Sequence, residues 1–153
     1  MTYKVELKTL KAQPIAAIRV QTTTDKIGDV LGQIYPEVWS YLDKAGIQPA
    51  GPALARYHHF EADNVDLEAG FPVAEPVAGE GRISAGELPG GRAAATWHTG
   101  PYDTLPQAYE AVDSWIQSEG RTMRASPWEV YWTDPQQVPN PAEWKTEVVW
   151  PVA

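Results

Sequence analysis

A glutamate and a tyrosine two residues apart, Glu129 and Tyr131, lie in the aromatic stretch SPWEVYWTDP. Side chains alternate between the two faces of a β-strand, so these two residues are expected to share one face. A carboxylate among aromatic rings loses hydration, which raises its pKa and suits it to meet a cation or to take a proton from water. The pair could anchor a cationic ligand or act in acid–base catalysis. A salt-bridged carboxylate at a sheet edge is the structural alternative.

The same alternation places Trp128, Val130 and Trp132 on the opposite face of the strand. One face of the strand has to pack under helices, and this apolar set is the better candidate for it. Glu129 and Tyr131 would then face a cleft together.

The composition excludes several classes of function. The chain has 153 residues, which suits a single domain, and its net charge of -8 disfavours direct nucleic-acid binding because phosphates require a basic surface. It has no cysteine, so disulfides, thiolate metal sites and a cysteine nucleophile are ruled out. The N-terminus shows no signal peptide, and no apolar run is long enough to span a membrane. We therefore expect a cytoplasmic protein with no membrane partner.

The pattern of apolar residues predicts the order strand–strand–helix–strand–strand twice, in pseudo-repeats at about residues 1–75 and 80–153. The two predicted helices end at Gly46 and Gly120. Local similarities support the duplication, since GPALARYHH resembles SPWEVYW and FPV resembles WPV. Two such halves predict one α+β domain over residues 1–153. We expect a curved antiparallel sheet with two helices and a central cleft suited to a ligand.

The duplication and the helical spacing add three candidate site residues. Tyr57 holds the position in the first repeat that matches Tyr131, so it would lie on the opposite wall of the cleft; an ordinary buried tyrosine is the alternative. Tyr35 and Trp39 are four residues apart and share one face of the first helix. They would belong either to the core, which is the better expectation, or to the rim of the cleft.

The stretches HTGPYDTLPQAYEAVDSWI and PWEVYWTDPQQVPNPAEWKTEVVWPV resemble the GyrI-like small-molecule-binding family. This is the effector-binding domain that is also fused to AraC-type and MerR-type regulators. The resemblance implies a duplicated SHS2-type fold with an aromatic pocket, in which the glutamate at the Glu129 position contacts lipophilic cations. It also implies that Tyr102 lines the pocket. Some stand-alone members of the family hydrolyse electrophilic cyclopropanoid natural products with a Glu–Tyr pair.

Two further residues precede or begin the last strand. Trp144 is a candidate to cap the pocket. Glu147 belongs to the Thr-Glu part of the family signature, and a purely structural role is its alternative.

The leading hypothesis is a stand-alone binding domain for lipophilic, often cationic small molecules of the multidrug type. A hydrolase of cyclopropanoid electrophiles that uses Glu129 and Tyr131 is the second hypothesis, and a protein-interaction inhibitor of the gyrase type is the third. We expect no cofactor and no metal, because His58 and His59 are neighbours on a strand and should point to opposite faces. The sequence identifies no protein partner.

Overall fold

The computed structural model describes residues 3–153 as two α-helices and eight β-strands. The strands are β1 (Glu6–Leu10), β2 (Gln13–Thr22), β3 (Leu54–Glu61), β4 (Asn64–Pro72), β5 (Ile83–Leu88), β6 (Gly91–Thr99), β7 (Trp128–Tyr131) and β8 (Lys145–Pro151). The helices are α1 (Ile27–Ala45) and α2 (Leu105–Ser118). The strands pair in antiparallel fashion, so the predicted α+β class and order of elements are confirmed. Over residues 3–153, neither helix has the length and apolar character needed to cross a membrane.

Both helices follow from apolar spacing and end at a glycine. Helix α1 buries Ile34, Val38 and Leu42, which recur every four residues along one side. Its C-terminal cap is Gly46 with φ of 71°, a left-handed conformation that glycine adopts without steric cost. Gly120 has φ of 65° just after α2, and the flanking backbone hydrogen bonds repeat those at the end of α1. The two predicted helix ends are therefore confirmed.

The chain forms two compact units. The C-terminal unit contains residues 3–11 and Pro89–Ala153, in which the strands lie in the order β1-β6-β8-β7 and helix α2 packs on β6 and β8. The middle unit contains Ala12–Leu88, in which the strands lie in the order β3-β4-β2-β5 and helix α1 packs on β4 and β2.

These units differ from the two sequence repeats by an exchange of first strands. Strand β1, which opens the first repeat, pairs with β6 of the C-terminal unit. Strand β5, which opens the second repeat, pairs with β2 of the middle unit. The segment between β1 and β2 is Lys11-Ala12. It lacks the Gly or Asn that a two-residue hairpin turn favours, which agrees with the pairing of the two strands with other strands and not with each other.

The duplication is visible in matching backbone hydrogen bonds. The N–H of Val73 donates to the carbonyl of Pro14 at 2.9 Å, and the N–H of Val152 donates to the carbonyl of Arg92 at 2.9 Å. Both bonds join the residue after the last strand of a repeat to the start of the second strand of that repeat. The resemblance between FPV and WPV therefore corresponds to one repeated structural feature.

The core of the C-terminal unit identifies the strand face that helix α2 covers. Buried residues of α2 pack with Ala94 of β6, Val148 of β8 and Val152. The helical members of this cluster are Leu105, Ala108, Val112 and Ile116. Any residue that shares a face with Ala94 or Val148 therefore lies on the helix side of the sheet.

Candidate functional site

Glu129 and Tyr131 lie on the face of the sheet that carries helix α2. In the antiparallel ladder, Glu129 pairs with Val148 and Tyr131 pairs with Thr146, and paired residues project to the same side. Val148 belongs to the core beneath α2. The alternation predicted for β7 is confirmed, because Glu129 and Tyr131 share one face.

The assignment of the apolar set to the helix side is wrong. Trp128 pairs with Val149 and Val130 pairs with Glu147, on the side away from α2. Trp132, just beyond the strand, is 51% exposed. The charged face can lie under a helix here because the helix itself supplies a polar partner for the carboxylate.

That partner is Tyr109 of α2. Its hydroxyl donates to Oε1 of Glu129 at 2.8 Å, and the hydroxyl of Tyr131 donates to Oε2 at 2.7 Å. Each carboxylate oxygen therefore accepts one phenolic hydrogen bond. Glu129 is buried, with 6% of its surface exposed. Burial raises the pKa of its carboxyl above the ordinary value, and the hydrogen bonds from Tyr131 and Tyr109 oppose that rise without cancelling it.

Aromatic rings continue from this carboxylate toward the surface. The ring of Tyr102 lies 5.5 Å from that of Tyr131 and 4.7 Å from that of Trp144, measured between centroids. Trp144 is held in place by its indole N–H, which donates to the carbonyl of Val138 at 2.6 Å. Burial, followed by the negative charge of Glu129, raises the pKa of Tyr102. The structure therefore brings Glu129, Tyr131, Tyr102 and Trp144 together.

A buried histidine positions the loop that carries Tyr102. His98 is fully buried, and its Nε2 lies 3.0 Å from the carbonyl of Pro101, the residue before Tyr102. The Nδ1 of the same ring lies 2.8 Å from the hydroxyl of Tyr3. Gly100, in the same loop, donates its N–H to the carbonyl of Trp144 at 2.8 Å. These bonds fix the rings of Tyr102 and Trp144 relative to each other.

Tyr57 lies in the middle unit and matches Tyr131 in its placement. It pairs with Leu67, which shares a face of β4 with Phe71, the residue that α1 contacts, and its ring lies 5.6 Å from that of Phe60. The residue two positions earlier, where the C-terminal unit has Glu129, is the buried Ala55. The carboxylate is therefore present in one repeat only. The role of Tyr57 on a wall opposite Glu129 stays a prediction.

Tyr35 and Trp39 of α1 both contact Phe71 of β4. Their rings lie 5.8 Å and 5.6 Å from that of Phe71, in edge-on arrangements. The hydroxyl of Tyr35 donates to the carbonyl of Leu54 at 2.9 Å. Trp39 is 54% exposed, so the expectation that it belongs to the core is wrong, and its ring covers Phe71 from the solvent side. Ligand contact by either residue stays a prediction.

Glu147 occupies the other face of the C-terminal sheet. Its Oε2 lies 2.6 Å from Nζ of Lys8, and its Oε1 lies 3.4 Å from the indole nitrogen of Trp132. This buried glutamate therefore has a cationic partner, which supports its structural alternative. The Thr-Glu pair of the family signature divides between the faces, with Thr146 beside Tyr131 and Glu147 behind it.

The adjacent histidines of β3 bind different acidic residues. Nε2 of His58 lies 2.9 Å from Glu68, and Nε2 of His59 lies 3.2 Å from Glu61. Within the described part of the chain, no group of three or more His, Asp or Glu side chains is arranged to hold a metal ion.

The sequence interpretation missed Tyr109 as a site residue. Its position among Leu105, Ala108 and Val112 indicated only an inward-facing residue of α2. A tyrosine on such a face requires a partner for its hydroxyl, and that requirement was the available signal. The identity of the partner depends on how α2 lies over β7, which periodicity does not specify.

The family model of the GyrI-like small molecule binding domain matches residues 3–153. The chain belongs to this family. It is therefore a small-molecule binding domain of the GyrI-like type, and the predicted resemblance is confirmed. No curated protein gives a significant match to the sequence.

Solved structures agree with this assignment. The EcmrR C-terminal domain is 26% identical, with a TM-score of 0.89, over 100% of this chain and 99% of that chain. In the cryo-EM structure of the EcmrR–DNA complex, the match is 26% identical with a TM-score of 0.86, and it covers 98% of this chain but 57% of EcmrR. The GyrI-like domain thus spans little more than half of that protein. SAV2435 bound to tetraphenylphosphonium is 14% identical, with a TM-score of 0.63, over 98% and 94% of the two chains, and shares the fold.

Replacing Tyr109 with phenylalanine tests the phenol–carboxylate contact. The variant loses the donor to Oε1 of Glu129, so the pKa of Glu129 should rise further and the free energy of unfolding at neutral pH should fall by about 1 to 2 kcal/mol. Urea unfolding and a carbon-detected NMR titration of Glu129 measure the two effects. Tyr35→Phe removes a hydrogen bond to a neutral carbonyl, so its loss of stability should not vary with pH. An unchanged pKa of Glu129 in Tyr109→Phe would contradict the contact.

Proposed function

We propose that the C-terminal unit binds lipophilic cations, with Glu129 as the anionic anchor and Tyr131, Tyr102 and Trp144 as the aromatic wall. The observation that carries this proposal is a buried carboxylate whose hydrogen-bond partners are two phenols. Across residues 3–153, no Lys, Arg or His side chain forms an ion pair with Glu129. Glu147, buried on the other face of the same sheet, is paired with Lys8.

The proposed preference for a cation follows from the cost of ionising a buried carboxylate that has no cationic partner among residues 3–153. Ionisation of Glu129 costs free energy in the unliganded protein because burial removes water from the charge. A cation at the site stabilises the ionised form. The faces of tyrosine and tryptophan rings attract the same cation by about 0.5 to 2 kcal/mol each. The net charge of -8 adds a long-range bias toward cations.

The aromatic wall also supports a broad, multidrug-type choice of ligands. Contacts to the rings of Tyr102 and Trp144 depend mainly on buried apolar area and little on direction. The only strongly directional partner in this proposal is the carboxylate. Ligands of different shapes could therefore bind if each carries a positive charge next to apolar groups.

A matched pair of ligands tests the proposal. Tetraphenylphosphonium, which is bound in the SAV2435 structure, carries a permanent positive charge, and tetraphenylborate is an anion with the same four-ring shape and no hydrogen-bonding atom. Titration calorimetry should show that the cation binds about 30-fold more tightly, a difference of about 2 kcal/mol. Equal affinity for the two compounds would contradict a role for the carboxylate in choosing the ligand.

A hydrolase is the second candidate, because the Tyr131 hydroxyl lies 2.7 Å from Glu129 and Tyr109 supplies a second phenol. Glu129 could take a proton from water as the water oxygen bonds to the strained carbon of a cyclopropanoid substrate. The ring C–C bond would break with its electron pair moving to the conjugated oxygen, which a tyrosine would protonate. Product formation that is lost in both Glu129→Gln and Tyr131→Phe would support this candidate. Binding of such a substrate without product would exclude it.

A further inference from the structure

Thr146 of β8 is a buried polar residue on the sheet face that carries Glu129 and Tyr131. The residue is fully buried, and within residues 3–153 its hydroxyl oxygen has no hydrogen-bond partner. It pairs with Tyr131 of β7 on one side and with His98 of β6 on the other. Its side chain therefore lies on the α2 side of the sheet, beside the aromatic wall.

Neither cross-strand neighbour forms a hydrogen bond with the Thr146 hydroxyl. The Tyr131 hydroxyl already donates to Glu129. Both ring nitrogens of His98 are occupied, Nδ1 by the Tyr3 hydroxyl and Nε2 by the Pro101 carbonyl. The hydroxyl of Thr146 thus lies between two polar residues whose hydrogen bonds go to other groups.

An unpaired buried hydroxyl destabilises a folded protein, and valine would fill the same space without that cost. A nearby threonine shows the usual arrangement. Thr96 of β6 is also buried on the α2 side, and its hydroxyl donates to the carbonyl of Lys4 at 2.8 Å. Thr146 therefore differs from Thr96 in that its hydroxyl has no hydrogen-bond partner among residues 3–153. A bound ligand can provide that partner.

We propose that Thr146 is a specificity residue that hydrogen-bonds a neutral oxygen of the bound ligand. Tyr131 is its direct cross-strand neighbour, and Glu129 is the diagonal one. Diagonal neighbours on a sheet are separated by about 7 to 8 Å. The preferred ligand is thus a lipophilic cation that carries a carbonyl or ether oxygen at about this distance from its charge.

The proposal rests on the proposed function of the site, since the cation must bind at Glu129. Tyr131 is the cross-strand neighbour of Thr146, and its ring lies 5.5 Å from the partly exposed ring of Tyr102. A ligand that enters between the rings of Tyr131 and Tyr102 would separate them and reach the hydroxyl of Thr146. Its oxygen would then satisfy the group that is unpaired in the unliganded protein.

Two related cations test the role of Thr146. Tetraphenylphosphonium has no hydrogen-bonding atom, whereas (4-acetylphenyl)triphenylphosphonium adds a carbonyl oxygen beyond one ring. The wild-type protein should bind the acetyl compound about 5-fold more tightly than the parent, which is the usual worth of one hydrogen bond. Thr146→Val should remove this preference, so that the acetyl compound and the parent bind with equal affinity, and Thr146→Ser should keep the preference.

The melting temperature of the unliganded protein provides an independent measurement. Thr146→Val should raise it by about 2 to 4 °C, since an unsatisfied buried hydroxyl is removed. The matched control Thr96→Val removes a hydroxyl that has a partner and should lower the melting temperature. An acetyl preference that persists in Thr146→Val, or a fall in its melting temperature, would overturn the inference. If tetraphenylphosphonium binding is absent or insensitive to Glu129→Gln, the proposed function fails as well.

Discussion

Replacing Glu129 with glutamine is expected to weaken the binding of tetraphenylphosphonium about 100-fold, or about 2.7 kcal/mol. Glutamine has nearly the same shape; its Oε1 can accept from one of the two phenols, and its Nε2 can donate to the hydroxyl oxygen of the other, so the site should keep its geometry. What the variant loses is the charge. Titration calorimetry at pH 7.5 or above, where the wild-type carboxyl is most ionised, measures the difference directly.

The control for this experiment is the other buried glutamate of the same sheet. Glu147→Gln removes a charge of the same sign on the face away from α2, where Lys8 is the partner. It should lower stability because Lys8 loses its ion pair, and it should leave the affinity for the cation unchanged within about twofold. If Glu147→Gln weakens binding as much as Glu129→Gln, the effect is one of overall charge and not of the site.

The affinity for the cation is expected to fall about tenfold per pH unit once the pH is below the pKa of Glu129 in the unliganded protein. Tetraphenylphosphonium keeps its charge at every pH, so the titration belongs to the protein. Burial raises the pKa of Glu129, and this places the loss of binding at higher pH than for an exposed glutamate. Calorimetric titrations from about pH 4.5 to 8 measure the profile.

The stability of the unliganded protein should change in the opposite direction. The raised pKa means that the folded protein holds the proton of Glu129 more tightly than the unfolded chain does. The contribution of this group to stability is therefore greatest below the ordinary pKa of glutamate and is lost as the pH rises through the raised value. Urea unfolding should show this decline in the wild type and not in Glu129→Gln. Cation binding that does not vary with pH would contradict the raised pKa.

Periodicity and capping were sufficient to predict the elements of this fold. The alternation in β7, the apolar side of each helix and the glycines at positions 46 and 120 depend on local geometry. These features involve residues a few positions apart, so one sequence contains the information. The duplication was likewise evident from matching segments such as FPV and WPV.

The features that the sequence did not predict depend on how elements pack. The exchange of β1 and β5 between the units joins residues far apart in the chain, and each strand pattern fits either partner sheet. The face of β7 under α2 was assigned by counting apolar residues. That argument failed because Tyr109 satisfies Glu129 from the helix, an interaction invisible without the position of α2. The isolated hydroxyl of Thr146 is a property of its neighbours and has no signature in the sequence.

The family resemblance and the geometry contributed different parts of the site. The resemblance indicated Glu129, Tyr131 and Tyr102, which the structure brings together in the C-terminal unit with Trp144. The geometry added Tyr109 as a second donor to the carboxylate and His98 as the residue that holds the Tyr102 loop. Comparison of motifs therefore did not identify the residues that position the aromatic wall.

Proton release on ligand binding tests the central claim most directly, because the claim is that a permanent cation stabilises the ionised form of one buried carboxyl. Calorimetric titration of tetraphenylphosphonium in buffers of different ionisation enthalpy counts the protons released per ligand. We expect release to rise toward one proton as the pH falls through the pKa of Glu129, and to be absent in Glu129→Gln. The account would be contradicted if binding released no proton throughout the range from about pH 4.5 to 8, or if Glu129→Gln released as many protons as the wild type.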